Sequence, residues 1–335
     1  MAYAAFCATW RDKPMNELDL SLVVPVYNAA PFIEECINSV KSQLPKGCEL
    51  VLVDDGSTDN SADIIRTKFS EELKQSRFAL LQIANSGPGE ARNTGVRAAR
   101  GQYVGFLDSD DILLPGYFDA VLDAKSTGEP HIVQFHIARF RSGEEVSANF
   151  IRCHNSPEGI YALEDVRDDI FAAGKWFPVT RVFRKDLLLK YPFPTERVFY
   201  EDLTTLPFMF LERGKIVLLD RALTAYRDNP GGTTRNHRPE HAATLLDFFA
   251  RLSQMPRSTP IDILRVQLAR TIVYFATELR LKEVSLRDLF TQIRDIPDKA
   301  RLARRLRRAD AAFLWFPGAY ALVERVRHGF RQAIG

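Results

Sequence analysis

Four stretches of the chain are apolar without alternation: "LSLVVPV" (20–26), "ELVLV" (49–53), "FALLQI" (78–83) and "YVGFL" (103–107). Continuous runs of this length suit strands covered on both faces, as in a parallel sheet. Helical patterns lie between them. In "PFIEECINSVKSQ", Phe32, Ile33, Cys36, Ile37 and Val40 fall on one stripe behind Pro31, a residue suited to a first helical turn. In "STDNSADIIRTKF", Ser57, Thr58 or Asp59 offers a cap and Ile64, Ile65 and Phe69 a packing face. In "SGPGEARNTGVRAARG", Ala91, Gly95, Ala98 and Ala99 are small enough for close approach to a sheet, and Gly101 can end the helix. Strand and helix alternating in this way predict a doubly wound α/β half domain.

Such sheets bind ligands beyond the carboxyl ends of their strands. The segments there are polar in each case: "YNAA", "DDGSTD", "NSGPG" and "DSDD". Four polar clusters brought to one rim by topology predict a binding crevice. Downstream, "HIVQFHIARF" (131–140) reads as strand, "KWFPVTRVFRKDLL" as turn, strand and helix, "FYEDLTTLPFMFLERG" as a helix led by Glu201 and Asp202, and "KIVLLD" as strand. Beyond "YRDNPGGTTRNHRPE" the pattern is mostly helical, over about 240–254, 261–282 and 285–295.

At 335 residues the chain exceeds what one core usually serves, so a main domain with an extension is expected. A formal net charge of +2 argues against a surface built for nucleic acid. The charge is uneven: residues 301–335 carry eight arginines against Asp310 and Glu324. Cys7, Cys36, Cys48 and Cys153 have neither metal nor redox spacing, which predicts reduced thiols in the cytosol. The first residues lack the leading positive charge and apolar core of a signal peptide, and no window holds a spanning helix.

The strand 103–107 runs directly into Asp108, Ser109, Asp110 and Asp111. Like charges so close repel unless something positive sits among them. Hard carboxylate oxygens without neighbouring His or Cys favour Mg2+ or Mn2+, with phosphate oxygens completing the shell; the bland alternative is an exposed acidic turn. Asp55 offers an acceptor for a nucleobase N–H or a ribose hydroxyl, while Asp54, Ser57 and Asp59 equally suit a turn and a helix cap. Arg92 can meet a diphosphate or orient a carboxylate, or form an ordinary ion pair.

Together, "LSLVVPVYNAAPFIEECINSVKSQ", "ELVLVDDGSTDNSADII", "NSGPGEARNTGVRAARGQYVGFLDSDDILLPG" and "FYEDLTTLP" resemble the family 2 glycosyltransferases of bacterial capsule, exopolysaccharide and lipopolysaccharide assembly. The resemblance implies a GT-A fold, an α/β nucleotide-diphospho-sugar transferase fold, with a helical C-terminal extension. It divides the chain into a nucleotide-sugar-binding half (19–125), an acceptor-binding half (126–239) and the extension (240–335). By the same resemblance, Pro25, Val26, Tyr27 and Asn28 cradle the nucleotide, Asp55 reads the base, and Arg92 and Ser109 belong to the nucleotide site. Asp108 and Asp110 match the metal and ribose-diphosphate acids of the DxD motif, Asp110 holding Mn2+ or Mg2+, with Asp111 structural or supporting. Glu201 and Asp202 match the catalytic acid pair, with Asp202 the general base; a helix-start acid favoured by the dipole is the alternative.

Lys175 and Trp176 match a region that borders the acceptor pocket, where an aromatic face can stack on a sugar, although Trp176 equally suits a core. Tyr226, Arg227, Thr233, Thr234 and Arg235 offer a lid over the diphosphate, or an ordinary surface turn. The implied reaction is inverting transfer from a UDP-linked donor to a hydroxyl of a saccharide, in many relatives carried on polyprenyl diphosphate. Residues 311–323 are apolar but broken by Pro317 and Gly318, and Phe313, Trp315 and Phe316 beside arginines suit an anchor on an anionic membrane surface, hence a peripheral, cytoplasmic-face protein. A packed helix with a solvated basic face is the alternative.

Two other functions compete. A Mg-dependent phosphatase of the haloacid-dehalogenase type also follows a strand with DxD, but Leu113 stands where its Thr or Val belongs, and the motif is on the fourth strand. A noncatalytic nucleotide-sugar-binding scaffold would keep the fold, yet Asp108, Asp110 and Asp202 are all retained.

Overall fold

The computed structural model describes residues 18–229, 238–281 and 284–334. Contacts divide them into two units, one up to Asp165 with Trp176–Asn229, the other Val166–Lys175 with the described residues beyond 230. The expected nucleotide and acceptor halves thus share one unit, and a short internal segment groups with the extension.

The first unit is built on a ten-stranded sheet. Its opening elements are β1 (Leu18–Val26), α1 (Ile33–Lys41), β2 (Cys48–Asp54), α2 (Ser61–Lys68), β3 (Phe78–Gln82), α3 (Pro88–Ala98) and β4 (Gly101–Phe106). β1 pairs in parallel with both β2 and β4, and β2 with β3, giving the order β3-β2-β1-β4. Every residue of β2 is buried, as an uninterrupted apolar run requires when helices cover both faces. The stripe of α1 buries Ile33, Cys36, Ile37 and Val40, each apolar side chain contributing about 1.5–3 kcal/mol for the larger ones. α3 lies very close to the sheet. A Cβ on Gly95 would stand 2.2 Å from Val23 Cγ1, so only glycine permits that approach.

After β5 (Ile112–Leu113) and α4 (Tyr117–Ser126) come β6 (Ile132–Phe140), β7 (Phe150–Ile151), β8 (Gly159–Ala162) and α5 (Leu163–Ala173). β9 (Arg181–Arg184), α6 (Lys185–Lys190), α7 (Glu201–Met209) and β10 (Lys215–Arg227) follow. β9 runs antiparallel to both β4 and β6, and β10 pairs in parallel with β6, so one continuous sheet extends from β3 to the end of β10.

The second unit is helical: α8 (Pro239–Gln254), α9 (Thr259–Glu278), α10 (Leu286–Arg294), α11 (Lys299–Ala303), α12 (Arg308–Trp315) and α13 (Pro317–Ile334). α9 is its core, packed by the other five and burying Ile261, Leu264, Val266, Leu268, Ile272 and Val273 around its circumference. The apolar stretch at 311–323 breaks at Phe316, where α12 ends and Pro317 starts α13. No helix among the described residues is long and apolar enough to cross a membrane.

Candidate active site

The four polar segments that follow β1, β2, β3 and β4 meet at one rim, tied by hydrogen bonds that the residue types explain. Val26 ends β1 buried and Pro25 pairs with Val53 of β2, which leaves Tyr27 exposed just beyond. Asn28 adopts φ 50°, a left-handed turn that Asn tolerates better than most residues. Its Oδ1 accepts from the backbone N–H groups of Thr58 (2.8 Å) and Asp59 (3.3 Å), while Ser57 Oγ accepts from its own N–H (3.1 Å). Asp55 is buried, and its two oxygens accept the N–H groups of Ser86 (2.7 Å) and Gly87 (2.8 Å). Burial pushes its carboxyl pKa up against those two bonds and the Arg197 charge. In this geometry Asp55 joins the second and third loops; each oxygen keeps a further lone pair for a ligand.

β4 does not continue into the acids. A turn closed by Asp111 N–H donating to the Asp108 carbonyl (3.0 Å) carries Ser109 and Asp110 at its part-exposed corner and turns Asp111 inward. The positive charge that this cluster demands is supplied in part by the protein. Arg92, on α3, donates to Asp108 Oδ1 (3.0 Å) and to Glu201 Oε1 (2.6 Å), with its guanidinium over the Phe193 ring. Burial alone would lower the Arg92 pKa, but the two carboxylates raise it above the ordinary value. Of the options open in sequence, Arg92 orients carboxylates. It bridges the acidic turn to the start of α7, reaching Glu201 from 109 positions away in the sequence.

Arg227 is the second cation. It is buried at the end of β10, its N–H donating to Asp111 Oδ1 (2.9 Å) and its Nε to the Asp110 carbonyl (2.6 Å). Ser142 Oγ and Glu35 Oε2 take its other nitrogens, and Phe32 and Phe140 flank the guanidinium. This corrects the expected lid role: Arg227 is an internal clamp, because every face of its guanidinium is already engaged. Thr233, Thr234 and Arg235 lie outside the described residues.

The charge is not fully compensated. Burial, then the Asp108 charge, raises the Asp110 pKa; burial, Asp108 and Asp110 raise that of Asp111 well above the usual range. Asp111 Oδ2 is buried without a hydrogen-bond partner. Residual negative potential on hard oxygens is of the kind a divalent cation offsets, and Asp108 and Asp110 are the part-exposed carboxylates of the turn that could meet one. No group of three or more His, Cys, Asp or Glu side chains of the kind that holds a metal occurs among the described residues, so the remaining ligands would have to be phosphate or water oxygens.

Asp202 sits in the first turn of α7 behind Tyr200, whose φ of 62° is unusual for a bulky residue and sets the turn into the helix. Desolvation, then the neighbouring Glu201 charge, pushes the Asp202 carboxyl up to about 7, although one oxygen accepts the Leu203 N–H (2.7 Å). Of the two readings open for Trp176, the structure favours the core. Only 4% of it is exposed, and its ring meets Phe210 edge-on and the Arg181 guanidinium, a core position without a face for a sugar. Lys175 is half-buried and belongs to the second unit. Sequence reasoning missed Arg197, whose guanidinium lies 6.0 Å from the centre of the Tyr27 ring and whose side chain packs at Gly87. Nothing in its irregular segment marks it beforehand.

The acidic turn at the end of β4, bridged to the carboxylates at the start of α7, lies on a sheet whose parallel order β3-β2-β1-β4 is extended by mixed strands, an arrangement consistent with a GT-A fold. The model for "Glycosyl transferase family 2" matches residues 21–178, and the uncharacterized glycosyltransferase alr2836 of Nostoc sp. is 30% identical over 80% of this chain and 86% of its own length. The chain belongs to glycosyltransferase family 2. Uncharacterized glycosyltransferase EpsJ of Bacillus subtilis is 31% identical over 64% of this chain, and the match spans 62% of EpsJ. S. aureus TarS 1–349, solved with UDP-GlcNAc, superposes with a TM-score of 0.64 at 20% identity, covering 94% of this chain and 92% of that one. The mannosyltransferase PcManGT from Pyrobaculum calidifontis, solved with GDP-Man and Mn2+, gives 0.56 at 19% identity, covering 98% and 93%. Both likenesses concern the fold.

Proposed function

We propose that the chain transfers a sugar from a nucleoside diphosphate, UDP in the first instance, to a saccharide hydroxyl with inversion, in the building of a surface polysaccharide. The observation that carries this reading is the Arg92 bridge, which holds the acidic turn at Asp108 and the pair Glu201 and Asp202 in one constellation. The UDP-GlcNAc complex of TarS supports a nucleotide-sugar donor, and the Mn2+ complex of PcManGT supports a divalent ion.

The roles follow from the chemistry of each group. Pro25, Val26, Tyr27 and Asn28 form the nucleotide side of the rim, and Tyr27, 41% exposed, offers an aromatic face there. Asp55 supplies acceptor lone pairs for the base, and Ser109 a hydroxyl at the turn. Asp110 and Asp108 would hold Mn2+ or Mg2+, which would supply positive charge against the departing diphosphate. Asp202 accepts the proton of the acceptor hydroxyl. An alcohol is a poor nucleophile, and a carboxylate desolvated to a pKa near 7 is a far stronger base than an ordinary Asp while still ionised in about half the molecules at neutral pH. Glu201 fixes Arg92 and adds to the field that makes Asp202 basic. An acceptor carried on polyprenyl diphosphate would be met at an anionic membrane surface.

The test is transfer of labelled sugar from UDP-linked donors to saccharide acceptors with Mn2+, comparing the parent with Asp202→Asn. Loss of about 10²–10⁴-fold in turnover is expected for the variant. Undiminished transfer would remove Asp202 as the base, and nucleotide-sugar binding without any product would favour a scaffold.

A further inference from the structure

Among the described residues eight large hydrophobic side chains are exposed, and five of them fall within twelve consecutive positions: Trp315, Phe316, Leu322, Val323 and Val326. Their exposure, from 47% for Val323 to 68% for Phe316, is high for such residues. Along α13 the exposed positions Ala319, Leu322, Val323 and Val326 follow helical spacing and continue the surface begun by Phe316, so they make one outward stripe. The inward side of the same segment is already committed. Phe313 and Leu314 are fully buried, Ala321 and Glu324 nearly so, and Tyr320 meets Phe313 edge-on. Among the described residues the unit therefore has its core without the stripe, which remains an exposed apolar surface.

Arginines surround it in sequence and are exposed: Arg301, Arg304 and Arg308 before it, Arg325 and Arg327 within it. Arg327 is partly neutralised by Glu324 (3.1 Å), while Arg304, Arg308 and Arg325 make no salt bridge among the described residues. Along a helix of 18 residues, the apolar stripe from Phe316 to Val326 extends about 15 Å. That is half the thickness of a bilayer core, a length suited to lying in an interface and not to crossing it. Aromatic residues at the edge of an apolar stripe, with guanidinium groups beside them, match the boundary between acyl chains and anionic headgroups. A second copy is a poor occupant, since a two-fold contact would set this arginine-rich patch against itself.

We propose that Trp315, Phe316, Leu322, Val323 and Val326, with Arg304, Arg308 and Arg325 around them, seat the protein on an anionic lipid bilayer. This deepens the reading of a lipid-carried acceptor, on which its biological purpose rests; the surface itself is argued without it. The full chain is floated with vesicles of phosphatidylcholine alone and of phosphatidylcholine with phosphatidylglycerol, beside a Phe316→Ser, Leu322→Ser, Val326→Ser variant and an Arg304→Gln, Arg308→Gln, Arg325→Gln variant. All six positions are exposed, and thermal unfolding checks that each variant remains folded. The parent should float with the anionic vesicles only, the serine variant should bind at least about tenfold more weakly, and the glutamine variant should lose the preference for phosphatidylglycerol. Equal flotation of parent and serine variant, no flotation of the parent with either vesicle, or a parent dimer in gel filtration that the serine variant dissolves would each overturn the proposal. The readout is independent of transfer: a parent that floats but makes no product contradicts the proposed function and leaves the surface standing.

Discussion

Among single residues, burial controls the protons of the carboxylates at the rim. Asp202, with its carboxyl pushed up to about 7, should give kcat/KM an acid limb that falls one decade per pH unit below that value. A pH–rate profile whose acid limb lies near pH 4 would contradict it. Stability should carry the same signature. A carboxyl pKa raised in the folded state favours the native protein below the ordinary value near 4, and the benefit is lost as pH rises toward 7. Asp202→Asn should therefore match the parent near pH 4 and exceed it at pH 8 by about 1–2 kcal/mol, allowing for partial exposure of the carboxyl; thermal unfolding across that range measures the difference. Arg92 carries the opposite risk. Arg92→Met would leave Asp108 and Glu201 facing each other without their bridge and should cost about 3–5 kcal/mol. Arg92→Lys should recover only part, because an ammonium does not reproduce a planar fork between two acids. Equal denaturation midpoints for the three proteins would remove the bridge from the account.

At the scale of elements, packing of α3 on β1 makes a prediction in which two effects compete. Gly95→Ala gains up to about 1 kcal/mol of helix propensity, but its methyl would meet Val23 at 2.2 Å, an overpacking that costs about 1–3 kcal/mol. Urea denaturation should show net destabilisation, relieved by adding Val23→Ala. The first four strands and three helices were legible because their apolar runs and stripes are long. β7 was not, because a two-residue strand leaves no periodic signal, whereas α5 holds Leu163, Val166, Ile170 and Phe171 at helical spacing despite four acids in its first seven residues. The same limit applies to the site. Asp108, Asp110 and Asp202 are announced by strand-end and helix-start positions, whereas the engagement of Arg227 with Asp111 and Glu35 joins positions up to 192 residues apart. Trp176 shows the converse, since an aromatic residue beside a basic one reads the same whether it faces a ligand or, as here, Arg181 and Phe210.

For the whole molecule, the small net charge of +2 conceals a division of labour in electrostatics. The rim concentrates carboxylates around two buried arginines, and residues 301–327 carry seven exposed arginines against the buried Asp310 and Glu324. The proposed function requires the rim to bind a nucleotide sugar together with a divalent ion. Its most direct measurement is thermal unfolding of the parent and of Asp110→Ala with a panel of UDP-, GDP- and dTDP-sugars, each with and without Mn2+. A ligand at about a hundred times its Kd stabilises by about 2.7 kcal/mol. The parent should thus gain several degrees with one class of donor only when Mn2+ is present, and Asp110→Ala should gain nothing. No shift with any donor, or an equal shift in the variant, would contradict the account.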